Sequence, residues 1–116
     1  MNSEFNSWLK ENTAFPGVLA CGLRYPDKTT FSHSYAAEFA TDKLEPAWRT
    51  AVEAFQTSKQ SKQSFSRLRW VFDKALFHCA VRGDGVCLGI FTSKGTQEPS
   101  AESVDRLFAE FQAFRA

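Results

Sequence analysis

Three runs of this chain are apolar without alternation, and they constrain its fold more than any other feature. Val18–Leu23, Ala75–Val81 and Val86–Phe91 each have the length of a strand. A strand that is apolar on both faces must be covered on both faces. These three therefore belong inside a sheet with helices above and below it. Two further segments alternate. In Thr30–Ala37, Phe31, His33 and Tyr35 fall on one side, and Thr30, Ser32 and Ser34 on the other. In Phe65–Phe72, Leu68, Trp70 and Phe72 oppose Arg67, Arg69 and Val71. Such half-dry strands suit the edges of a sheet.

Turn chemistry links the strands in pairs. Tyr25-Pro26-Asp27-Lys28 places proline where a turn wants a fixed φ, so the first two strands read as a hairpin. Arg82-Gly83-Asp84-Gly85 joins the last two, with Asp-Gly expected to supply the positive φ angles of a tight turn. Three helical patterns fill the gaps. Ser3 can cap a first helix with Phe5, Trp8 and Leu9 on one face, ended by Pro16-Gly17. Asp42 and Glu45 can form a capping box for a second, in which Leu44, Ala47, Trp48, Ala51, Val52 and Phe55 share one face. Ser100 can cap a third, with Val104, Leu107, Phe108, Phe111 and Phe114 inward. The polar stretch Ser58–Ser64 reads as a connection.

The expected fold class is α/β (α+β): one five-stranded mixed sheet in the order 2-1-5-4-3, from elements α-β-β-α-β-β-β-α, with helices on both faces. That order keeps both hairpins adjacent and makes the first and fifth strands parallel neighbours. Residues 1–116 are expected to form one domain, large enough to bury roughly 65% of its unfolded surface.

The same letters exclude several functions. A formal net charge of +1 gives no bulk attraction to nucleic acid or anionic membrane. No apolar run approaches the ~20 residues that span a bilayer. Met1–Phe5 lacks the basic and apolar regions of a secretion signal, so a cytoplasmic location is expected. Cys21, Cys79 and Cys87 form no CxxC and sit in apolar runs, as buried reduced thiols do. There is no P-loop, no HExxH, no GxSxG and no EF-hand loop. Gly83–Gly89 only approaches a glycine-rich nucleotide loop, and it leads into a strand rather than a helix. His78 and Cys79 point to opposite faces of one strand and cannot share a metal. Arg82-Gly83-Asp84 reads as a turn rather than an adhesion signal. His33 stands without a partnering acid. Arg67 and Arg69 lie opposite Trp70, so no face combines cations with a stacking aromatic. No catalysis, cofactor, metal or nucleic-acid partner is expected.

What remains points to protein contacts. The strand Arg67–Phe72 has high β propensity at a sheet edge, where it must be blunted or paired. Its two arginines could serve either purpose. The second helix carries Ala47, Ala51 and Ala54 beside Trp48, small residues that let another helix approach.

"FPGVLACGLRYPDKTTFSHS", with its strand, polar turn and second strand, and "RGDGVCLGIFTSKG", followed by a capped helix, resemble the Roadblock family of dynein-light-chain-like domains in the Roadblock/longin group. The resemblance runs from about Ser3 to Phe114 and follows the whole element order. One departure lies in the first hairpin, where the family usually carries glycine after the acidic turn residue and this chain has Lys28-Thr29. The resemblance implies a non-catalytic homodimer whose third strands join into one sheet and whose second helices lie side by side. Carried over, it puts Arg67, Arg69 and Val71 along the pairing strand, and Trp48, Val52 and Phe55 on or near the helix pair. It implies scaffolding or regulation of a small Ras-like GTPase, or docking onto a larger assembly. The expected partner platform is Glu45, Arg49 and Glu53, flanked by Lys59 and Lys62. The competing readings are a monomeric longin- or profilin-like adaptor and a PAS-like small-molecule sensor.

Overall fold

The computed structural model describes residues 2–60 and 67–115. Its elements are α1 (Asn2–Asn12), β1 (Val18–Arg24), β2 (Thr30–Ser34), a short 3-10 turn (Thr41–Lys43), α2 (Glu45–Gln60), β3 (Arg67–Val71), β4 (Ala75–Val81), β5 (Cys87–Ser93) and α3 (Ala101–Ala113). The five strands form one sheet in the order β2-β1-β5-β4-β3, as the strand textures predict.

The direction of the central pair differs from expectation. β1 and β5 are antiparallel, so the sheet is antiparallel throughout rather than mixed. Connectivity requires this. A single helix returns the chain to the end of the sheet it left, so β2 and β3 run the same way. The β3-β4-β5 meander then aligns β5 with β3, and hence against β1.

The two faces carry separate cores. On one, α1 and α3 set Phe5, Leu9, Val104, Leu107 and Phe111 over Cys21, Leu23, Leu88 and Ile90. On the other, Leu44 just before α2 and Trp48, Ala51 and Phe55 within it lie over Ala20, Phe77, Cys79 and Cys87. Gly22 and Gly89 face each other across β1 and β5 and form the floor beneath the Trp48 ring. A Cβ on Gly89 would lie 2.3 Å from that ring, and one on Gly22 2.5 Å. The indole N–H donates to Ser32 Oγ on β2 at 2.8 Å, which fixes the helix in rotation as well as height.

Several local expectations are corrected. Ser3 lies inside α1 rather than capping it. Asp42 sits in the 3-10 turn and makes no capping box with Glu45; the Leu44 carbonyl receives the N–H groups of Ala47 and Trp48 instead. Ser58 belongs to α2, and residues 61–64 of the expected connection lie outside the described residues. Phe114 follows α3 and stacks on Phe5 at 4.7 Å. Ser100 does cap α3, its hydroxyl accepting from the Ser103 N–H at 3.1 Å.

The 82–85 turn also differs. Only Gly85 takes a positive φ, and the Arg82 N–H reaches the Val86 carbonyl, the pattern of a three-residue loop with a bulge. Arg82 is turned inward, its side chain 10% exposed. It donates to the carbonyls of Phe111 and Phe114, pairs with Asp84 at 2.7 Å, and lies over the Phe5 ring. The last turn of α3 has no basic residue of its own, and Arg82 brings the cation its carbonyls favour. The Arg-Gly-Asp sequence is a clamp within the fold.

Candidate interaction surface

β3 is hydrogen-bonded to β4 on one side only. The Phe72 N–H donates to the Ala75 carbonyl at the turn, so by alternation Val71, Arg69 and Arg67 aim their backbone N–H and C=O groups away from β4. These outward groups have no strand beside them among the described residues. The apolar surface follows the same edge. Val71 is 58% exposed and Phe72 50%. Tyr35, the other exposed large apolar residue, keeps its hydroxyl bonded to Thr13 and to the Lys10 carbonyl.

The side chains of β3 divide as the alternation predicts. Leu68 and Trp70 pack under α2, Trp70 stacking on Phe77. Arg67 turns to α3, where it pairs with Asp105 at 2.8 Å and lies over the Phe108 ring. Arg69 is exposed and makes no ion pair among the described residues.

α2 divides less evenly. Trp48 and Phe55 are buried against the chain's own sheet. The half-buried Ala47 and Ala54 flank this buried line on one side and Val52 on the other, and Ala47 and Val52 also pack against the same core. Glu45, Arg49 and Glu53 fall at intervals of four residues, so they share one stripe. Arg49 and Glu53 are exposed, Glu45 is half-buried, and no ion pair within the described residues joins them. The side chain of Lys59 and all of Lys62 lie outside the described residues.

The remaining candidates are internal. All three cysteines are free and buried. Burial pushes the Cys21 thiol up to about 11 and Cys87 to about 12, and raises Cys79 as well, with the nearby Cys87 adding to the burial. Such thiols are poor nucleophiles and poor ligands. No cluster of metal-ligating side chains occurs among the described residues. His33 packs edge-on against Tyr35. No helix among the described residues is long and apolar enough to cross a membrane.

Sequence reasoning passed over two features. One is the Gly22–Gly89 floor, whose signal is an isolated glycine inside each of two apolar strands. The other is the outward exposure of Phe72, which alternation assigned to the buried side but which the turn releases.

No family model matches the chain, and no curated protein matches it in sequence. Among solved structures it is similar to Myxococcus xanthus MglB, with a TM-score of 0.62 at 14% sequence identity, covering 97% of this chain and 98% of that one. The architecture shared across that length is the Roadblock/longin fold.

Proposed function

We propose that the chain, acting as one domain, is a non-catalytic, cytoplasmic interaction module. It forms a homodimer by antiparallel pairing of β3 with β3 of a second copy. Its dimer presents the α2 stripe to a small Ras-like GTPase or to a component of a larger assembly. The observation that carries this reading is the β3 edge: outward backbone groups, with half-exposed Val71 and Phe72 at its end. An edge of that kind is either blunted or paired, and exposed apolar side chains do not blunt it. Arg69 and Val71 take the interface role, with Arg67 held alongside by Asp105. Trp48 and Phe55 support it from beneath α2, and Val52 lies on the helix flank. The Roadblock/longin fold supports the choice of partner class.

Light scattering at low micromolar concentration tests the dimer, on the wild type and on Val71→Pro. The Val71 N–H points away from β4, so proline removes an outward donor and leaves the protomer's own ladder intact. A wild-type dimer that becomes a folded monomer in the variant is the expected result. A monomeric wild type overturns the reading in favour of a longin-like adaptor.

A further inference from the structure

The outer edge of β3 does not suit every alignment with a second copy. Arg67, Arg69 and Val71 carry the outward backbone groups, so they form the hydrogen-bonded pairs with an added antiparallel strand. Pairing between identical strands is isologous: one position lies on the two-fold axis, and its neighbours meet in reverse order. An axis at Arg69 overlaps β3 with itself in full, but it sets Arg69 directly against its own copy. Neither guanidinium has an ion pair within its chain among the described residues, and like charges directly opposite destabilise a sheet pair. An axis at Leu68 opposes Arg67 and Arg69 on both sides. An axis at Val71 keeps one bonded pair within the strand, and the next falls on Asp73, in the turn. The backbone bonds lost there outweigh the exposed ion pair gained.

An axis at Trp70 avoids these conflicts. Arg69 of each copy then lies opposite Val71 of the other, each pair exchanging both N–H···O bonds, with the arginine stem beside the valine. On the α2 face the two Trp70 side chains meet at the axis, in the kind of pair where side chains come closest, and Phe72 meets Leu68 of the second copy. Val71 and Phe72, the exposed apolar residues of this edge, both gain cover. On the α3 face Arg67 stands opposite Asp73, which is exposed and has no ion pair in its own chain among the described residues. A guanidinium has donors enough to hold Asp105 and a second carboxylate together. The run Arg67-Leu68-Arg69-Trp70-Val71-Phe72-Asp73 is thus complementary to its own reverse about Trp70, cation to acid at the ends and apolar to apolar within.

We propose, on the basis of the β3 pairing above, that two copies join with Trp70 on the two-fold axis, Arg69 of each opposite Val71 of the other and Arg67 paired with Asp73. The edge selects a second copy of this chain as its partner, because the chain's own reversed sequence supplies the apolar and charged residues where this edge needs them.

Disulfide trapping reads the register. Opposite hydrogen-bonded residues stand about 5.5 Å apart at Cα, within reach of a disulfide. Identical positions beside the axis are offset along the strand, about 8–9 Å apart at Cα, which is beyond that reach. Arg69→Cys, Val71→Cys and an equilibrated equal mixture of the two are oxidised with copper phenanthroline, at a concentration where light scattering shows dimers, and read by intact mass. Both positions are exposed, the native thiols are buried, and wild type oxidised in parallel is the blank. The mixture is expected to give a covalent heterodimer at least about tenfold in excess of the homodimer from either variant alone. Leu68→Cys with Phe72→Cys, placed opposite each other on the α2 face, is an independent second pair and should behave alike. Cross-linking of Arg69→Cys alone puts the axis at Arg69, and of Val71→Cys alone at Val71; either overturns the register while the dimer stands. A dimer that cross-links in none of these combinations overturns the register together with β3 as the contact. A monomeric wild type overturns the pairing on which the register depends.

Discussion

Lys28 holds a backbone conformation that its side chain disfavours. Its φ is 74°, in the left-handed region that favours glycine, at the tip of the first hairpin. The turn is otherwise well made. Asp27 accepts from both the N–H and the hydroxyl of Thr29, and the Tyr25 N–H closes the loop onto the Thr29 carbonyl. Lys28→Gly removes about 1–2 kcal/mol of strain and loses about 0.5–1 kcal/mol to chain entropy. A net gain of about 0.5–1 kcal/mol is expected, read as a higher denaturation midpoint at an unchanged slope. His78 gives the chain a pH dependence. Burial lowers its pKa from 6.5 to about 4, with Arg67 and Arg69 adding to the effect. Above pH 6.5 the ring is neutral in both folded and unfolded chains and contributes no slope. Between pH 6.5 and 4 only the unfolded chain takes up the proton, so stability falls as pH falls. Below that both forms are charged and the loss levels off at about 3 kcal/mol. Denaturant titrations at a series of pH values should show this decline in the wild type and a shallower one in His78→Leu.

Among the elements, α2 is the one whose placement rests on absent side chains. Trp48 descends onto Gly22 and Gly89, reaches Ser32 with its N–H, and meets the Phe77 and Phe91 rings at 5.7 and 5.9 Å. Gly89→Ala would put a methyl group into the indole and also within 3.0 Å of Phe77. The helix must then rise or the ring must leave its rotamer, at a cost of about 1–3 kcal/mol. Thermal unfolding should show the loss. Trp48→Leu in the same chain should recover part of it, because the two substitutions share one contact and are not additive. A Gly89→Ala variant as stable as the wild type would mean that α2 is not held by this floor.

At the scale of the whole molecule, the chain has two surfaces of different character on different parts of the fold. One is a sheet edge with half-exposed apolar residues. The other is a charged helix stripe on the α2 face. The functional proposal gives each its own task, so they should separate experimentally. Reversing the stripe with Arg49→Glu and Glu53→Arg is expected to weaken capture of a small GTPase partner at least about tenfold while leaving the solution mass unchanged. A binding assay at matched ionic strength, alongside light scattering, reads both. Unchanged affinity in the double variant would remove the stripe from the partner site and leave the dimer untouched.

Much of this arrangement was legible in the sequence. The three doubly apolar runs demanded a covered sheet interior, and the two alternating segments demanded edges, because burial follows side-chain period. Those two demands yielded the strand order and the split of helices between faces. Direction was not legible in texture, since an apolar strand reads alike both ways, and the α2 crossover decided it. The site divides along the same line. Alternation placed Arg67, Arg69 and Val71 on one side of β3, but it could not show that Arg67 would be taken by Asp105, 38 residues away, and Arg69 left open. Nor could periodicity tell that Trp48 and Phe55 face the sheet rather than a second helix. Which neighbour an apolar helix face meets is a property of packing, and here the paired glycines of β1 and β5 made room for Trp48 at home.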